Sequence, residues 1–143
     1  MPIFKAPIRD MRFILHELLE VEQALAALDG CEEATPDLID AVLEEAGKLA
    51  EGLLLPLNQI GDEQGCRLEN GEVATPEGFK EAYDAFVEGG WNGLGCDPEF
   101  GGPGLPAVLE FMVEEMWCSA DVAFSLYPGW THGDDRAWGD PPS

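Results

Sequence analysis

The chain has 143 residues, 45% of them hydrophobic, with 29 acidic against 7 basic side chains and a formal net charge of -22. That length sets one ordinary domain as the expectation, and the apolar content suffices for a core, which argues against disorder throughout. The acidity excludes the basic footprint that nucleic acid or an anionic membrane requires, and no apolar run approaches the roughly 20 residues that span a bilayer.

The opening Met1-Pro2-Ile3-Phe4-Lys5 lacks the pattern of a secretory signal, so a cytoplasmic protein is expected. After an extended lead ending in Pro7, residues Ile14, Leu18, Val21, Leu25 and Leu28 recur at helical spacing. They predict one helix from Asp10 to Leu28, capped by Asp10 and stopped at Asp29-Gly30. Thr35-Pro36-Asp37 predicts the next start, with a hydroxyl cap, a proline whose missing N–H costs nothing at the first position, and an acid at the positive end of the dipole. The predicted stripe is Leu38, Val42, Ala46, Leu49 and Leu53, with a kink or end at Pro56. Gly61 to Glu72 reads as a loop, in which Asn70-Gly71 offers a hairpin turn as the alternative.

Thr75-Pro76-Glu77 repeats the start signal for a helix that brings Phe79, Ala82, Tyr83 and Phe86 together before Gly89-Gly90. A loop rich in Gly and Pro over Gly93 to Pro106 leads into a fourth helix, starting at Pro106 or Ala107 and ending near Cys118 to Asp121. Its predicted inner face is Val108, Leu109, Met112, Met116 and Ala120. Asp121 is a candidate cap for a fifth stretch from Val122 to Leu126, which Tyr127-Pro128-Gly129 should interrupt. Asp134 to Ser143 has no apolar periodicity and reads as a disordered tail. Strand signals are scarce, so the predicted class is all-α, a helical bundle.

Residue types alone give no catalytic constellation. His16 and His132 have no Ser, Cys or carboxylate partner at diagnostic spacing, and His16 reads as a surface or boundary residue. Cys31, Cys66, Cys96 and Cys118 form no CxxC pair, so neither a thiolate metal site nor a disulfide is expected. The pairs Glu32-Glu33, Glu44-Glu45 and Glu114-Glu115 point in different directions along a helix and read as solvated faces. Glu110, Glu114 and Glu115 lack the Glu-x-x-His partners of a carboxylate metal bundle. Gly101-Gly102-Pro103-Gly104 precedes a helix, but no strand comes before it and no Lys-Ser/Thr after it. A tight turn between helices is favoured over a phosphate loop.

The stretch Gly93-Leu94-Gly95-Cys96-Asp97-Pro98-Glu99-Phe100-Gly101-Gly102-Pro103-Gly104-Leu105-Pro106 resembles the interhelical loop of the acyl-CoA dehydrogenase amino-terminal domain. The family pattern is Gly-Leu, a short step, Pro-Glu, an aromatic, Gly-Gly, any residue, Gly-Leu. Ala50-Glu51 to Pro56 is similar to the family's helix ending in a proline, and Gly61-Asp62 to Cys66 to its Asp-containing turn. Thr75-Pro76-Glu77-Gly78-Phe79 is similar to its next helix start. Phe4-Lys5-Ala6-Pro7 with Asp10-Met11-Arg12-Phe13 resembles the extension of a long bacterial branch, which includes enzymes acting on methylmercaptopropionyl-CoA. The resemblance divides the chain into 1–34, the extension and first helix, 35–133, the helical domain, and 134–143, a disordered or aberrant tail.

The resemblance implies an FAD-dependent oxidoreductase of fatty acid metabolism that dehydrogenates an acyl-CoA thioester. A carboxylate removes the α proton while the β hydride passes to the flavin. In the family that base lies downstream with the middle β domain and the carboxyl-terminal helical domain, so no catalytic residue is expected here. FAD is expected with the parent enzyme rather than with this chain alone, and a homo-oligomer is the implied parent assembly. Phe124, Leu126 and Tyr127 fall where the pocket-side helix would run and are the expected wall of the acyl pocket; core packing explains the same residue types. After Thr131-His132-Gly133 the family continues as an apolar helix, whereas Asp134-Asp135-Arg136-Ala137-Trp138 leads to a polar stop. The expectation is a truncated or frameshifted product, inactive by itself. A stand-alone helical module that pairs with a separately encoded dehydrogenase subunit is the alternative.

Overall fold

The amino-terminal stripe does not fold as one helix. In the computed structural model, which describes residues 3–129 other than Asp29 and Glu32, helix α1 (Ile8–Arg12) passes into a π turn over Phe13–Leu18. That turn closes when the Leu19 N–H donates to the carbonyl of Ile14, five residues back, at 2.9 Å. Glu20 then takes a left-handed conformation (φ 46°), and α2 (Val21–Leu25) follows. Asp10 lies in the first turn of α1 rather than capping it. The widened turn and the break at Glu20 shift the register, so Met11, Leu15, Val21 and Leu25 are buried while Leu18 and Leu28 are exposed.

Helix α3 (Pro36–Leu49) starts where Thr35-Pro36 predicts, with the Leu38 N–H donating to Thr35 Oγ1 at 3.3 Å. Thr35→Ala is expected to cost about 0.5–1 kcal/mol, read as a lower urea midpoint at unchanged slope; an unmoved midpoint would mean that the cap adds nothing. Helices α1 and α6 both pack on α3, so its buried side is set by two neighbours. Ile39, Leu43, Ala46, Ala50 and Leu54 are buried, whereas Val42, Leu49 and Leu53 of the predicted stripe lie half-buried beside them.

The helix neither ends nor breaks at Pro56. Proline offers no N–H to the carbonyl four residues before it, and the chain widens into a π turn over Ala50–Leu54, with the Leu55 N–H bonded to Ala50 O. Helix α4 (Leu55–Gln64) continues from there. The expected loop from Gly61 is therefore shorter, and its remainder is the hairpin: β1 (Arg67–Glu69) pairs antiparallel with β2 (Glu72–Ala74), Leu68 opposite Val73. Asn70 (φ 53°) and Gly71 (φ 86°) both supply the positive φ that a two-residue turn of this kind demands.

Helix α5 (Phe79–Glu88) begins later than the Thr75 signal, because a turn with the Phe79 N–H on Pro76 O (3.3 Å) intervenes. Phe79, Ala82 and Phe86 are buried, and Tyr83 sits at the rim. Helix α6 (Ala107–Ala120) starts and ends as predicted. Its core face is Leu109, Val113, Met116, Trp117 and Ala120, with Val108 and Met112 only partly buried. Residues 122–129 are also helical. Asp121 caps them, its Oδ1 accepting the Phe124 N–H at 3.0 Å while its carbonyl accepts Ser125 Oγ–H at 2.9 Å. Tyr127-Pro128-Gly129 thus extends the described stretch instead of interrupting it, Pro128 forfeiting a single N–H. The result is the expected all-α bundle with one added hairpin among the described residues; His132 and the 134–143 tail lie outside them.

Candidate functional site

Phe79 and Phe86, two turns apart on one face of α5, meet Trp117 of α6 and Phe124 of the following stretch. Phe86 lies 4.7 Å from Trp117 and 5.8 Å from Phe124 between ring centroids, and Phe79 lies 6.1 Å from Phe124. These edge and tilted contacts are the preferred arrangements of aromatic rings. They make a rigid floor. Above it opens a cleft of about 380 Å³ between the hairpin end and α5, lined by Val73, Thr75, Phe79, Lys80, Tyr83, Phe124 and Tyr127.

Of the three residues that the sequence points to, the structure brings two to this cleft. Phe124 is buried and forms the floor. Tyr127 stands at the rim, its ring 6.4 Å from Phe79 and 6.3 Å from Phe124, with its hydroxyl 3.8 Å from Cys66 Sγ. Burial, then the neighbouring Cys66, pushes the Tyr127 phenol above its ordinary value, so it is a neutral hydroxyl at physiological pH. Leu126 is 63% exposed and does not line the cleft.

Among the described residues the walls carry no carboxylate. Lys80, the cation among those described wall residues, is paired with Asp84 at 2.7 Å. The cleft can therefore hold an apolar chain but offers no base at its walls. A wider groove, about 900 Å³, runs between the start of α3 and the Gly-rich loop, but the charged side chains among its described lining are Glu33 and Glu45. Those acids repel rather than attract a phosphorylated ligand.

The Gly-rich loop uses its own donors. The Gly101 N–H bonds Pro98 O at 3.0 Å, Gly102 N–H bonds Asp97 O at 3.3 Å, Gly104 N–H bonds Cys96 O at 3.0 Å and Leu105 N–H bonds Leu94 O at 2.9 Å. An anion cradle needs such N–H groups turned outward. A flavin pyrophosphate thus finds no fit at this loop, which closes on itself as a tight turn between α5 and α6.

One polar assembly escaped the sequence reading. Arg12 Nε lies 2.8 Å from Asp40 Oδ1 and Arg12 Nη2 lies 2.6 Å from Glu44 Oε1. His16 sits between two carboxylates, Nδ1 against Glu22 and Nε2 3.0 Å from Asp40. The hydrogen bond to Glu22 raises the His16 pKa, against burial and with help from Asp40. Burial opposes charge on Asp40, but hydrogen bonds from His16 and Arg12 prevail and hold its carboxyl below the ordinary value. The available signal was two matching four-residue intervals, Arg12 to His16 and Asp40 to Glu44, on segments that pair.

No family model matches the sequence. It is 43% identical over 91% of its length to a 3-methylmercaptopropionyl-CoA dehydrogenase of Ruegeria pomeroyi, covering 22% of that protein. It is 29% identical over 88% of its length to the broad-specificity linear acyl-CoA dehydrogenase FadE5 of Mycobacterium tuberculosis, covering 21% of it. With a butyryl-CoA dehydrogenase of Syntrophomonas wolfei it shares 30% identity over 84% of its length, covering 20% of that relative. The chain spans about a fifth of the length of these relatives.

Proposed function

From this homology to acyl-CoA dehydrogenases, which fits an amino-terminal portion of such a protein, we propose that the chain is the helical part of an FAD-dependent enzyme that dehydrogenates an acyl-CoA thioester. Its share is structural and selective: it walls the acyl chain and keeps water away, while the base and the flavin belong to the rest of the parent protein. The 43% identity over 91% of the chain carries this reading. The cleft over Phe79 and Phe124 supports it, being apolar enough for an acyl tail and without a carboxylate to take the α proton. Phe124 and Tyr127 are the proposed wall residues. Leu126, on the outer side with Val122, is better suited to meeting another domain. None of the described helices is long and apolar enough to cross a membrane, in keeping with a cytoplasmic enzyme and no membrane insertion. The homo-oligomer expected of the parent belongs to the same proposal.

Two measurements test it. The 143-residue chain, given FAD, an acyl-CoA and an artificial electron acceptor, is expected to show no turnover; turnover would show that the chain carries its own chemistry. Grafted in place of the matching fifth of the Ruegeria relative, it is expected to give a flavin-loaded chimera that bleaches its flavin on addition of acyl-CoA. A folded, flavin-loaded chimera that does not bleach would overturn the assignment.

A further inference from the structure

We propose that His16 is a pH-sensitive latch, which holds the amino-terminal segment Ile8–Leu25 on α3 while the imidazole carries both protons and loosens it when one is lost. The geometry requires this. Each ring nitrogen faces a carboxylate, Glu22 of α2 at Nδ1 and Asp40 of α3 at Nε2, 3.0 Å away. A neutral imidazole has one N–H and one lone pair, so in either tautomer a lone pair would face a carboxylate oxygen. Only the imidazolium donates to both.

The carboxylates around the ring favour that state, while the neighbouring guanidiniums oppose it. From its own segment Arg12 also reaches Asp40, at 2.8 Å, but its second arm is taken by Glu44 of α3 at 2.6 Å. Arg9, Asp10 and Glu17 border the same open cavity as His16. The chain's surplus of 29 acidic over 7 basic residues adds a background that favours the proton. With its pKa raised above the ordinary 6.5, His16 contributes stability that is full below about pH 6.5 and is lost as the pH rises through the raised value. Met11 and Leu15 remain as apolar anchors, so loss of the proton weakens the docking of the segment while the core persists.

NMR on the full chain from pH 5 to 9 tests the latch. The His16 ring is expected to titrate above 6.5, identified by its absence in His16→Gln. Corrected for intrinsic exchange, the amides of Leu19 and Ala26 should lose protection relative to that of Val113 as His16 titrates. The expected loss is about tenfold for each unit by which the folded pKa exceeds the unfolded one. In Glu22→Gln the midpoint should fall and the loss should begin at lower pH. A protection ratio constant across the range, the same loss in His16→Gln, or an unmoved midpoint in Glu22→Gln would each overturn the proposal.

Discussion

Replacing Phe86 by alanine is expected to remove about 3–5 kcal/mol of stability. Its side chain is fully buried, with Trp117 at 4.7 Å on one side and Phe124 at 5.8 Å on the other. Truncation would leave a void between α5, α6 and the stretch after Asp121, and rings that pack edge to face cannot collapse into it without losing their mutual geometry. A domain of this size has about 5–15 kcal/mol in total, so the variant stands near the edge of folding. Urea titration followed by tryptophan fluorescence reads the loss directly, because Trp117 is the reporter in contact. Phe86→Leu, which keeps most of the volume, should cost less than about 1.5 kcal/mol. A loss below about 1 kcal/mol for Phe86→Ala would mean that the aromatic floor does not hold the two halves of the bundle together. The cleft above that floor would then lose its rigid base as well.

Gly102→Ala is expected to cost about 2–3 kcal/mol, and Gly101→Ala, its neighbour, about 1 kcal/mol. The two differ in kind. A Cβ at Gly102 would sit 2.2 Å from the carbonyl oxygen of Cys96, a backbone atom that cannot swing away and that accepts the Gly104 N–H at 3.0 Å. The substitution must therefore break that bond and open the turn. At Gly101 nothing lies within 4 Å of the added carbon, and the penalty comes only from the left-handed backbone, φ 86°. Paired denaturation curves decide the matter, together with exchange of the Gly104 amide, which should lose protection in Gly102→Ala and keep it in Gly101→Ala. Equal costs would show that backbone conformation, not the close approach to Cys96, selects glycine in this loop.

What was legible in the sequence was chiefly the two caps that form locally, at Thr35 and Asp121, whereas Asp10 and Thr75 cap no helix. Thr35-Pro36 and Asp121 act at short range, through a side chain and an N–H two or three residues apart, and both caps form as the residue types demand. The Asn70-Gly71 turn was legible on the same grounds, although its flanking residues Leu68 and Val73 are exposed and gave no alternating pattern. Facing was less legible. A strict helical period assumes an unbroken α path, and the π turn at Phe13–Leu18 with the break at Glu20 puts Leu15 inside while leaving Leu18 in solvent. No Gly or Pro marks Glu20. The stripe of α3 was misplaced for another reason: α1 and α6 cover it from two sides, and the position of neighbours is a property of the assembled bundle.

The candidate site divides in the same way. The resemblance points to Phe124, Leu126 and Tyr127 together, from where it puts the pocket-side helix. Leu126 lies outside the cleft because of the rotation of its segment, which only the folded structure fixes. The His16 assembly joins residues 24 positions apart, and a reading that searched for partners nearby in sequence passed over it.

The π turn at Ala50–Leu54 bears on how chains of this kind change length. Between the same two flanking helices it holds about one residue more than an α path would. An insertion or deletion of a single residue can be absorbed there by exchanging one form of turn for the other, with α3 and α4 left in place. Within Ala107–Ala120, where Trp117 and Val113 are buried, the same change would rotate every later side chain by about 100° and carry Phe124 off the floor of the cleft. Length variation among homologous chains should therefore gather at the widened turn and be absent from α6.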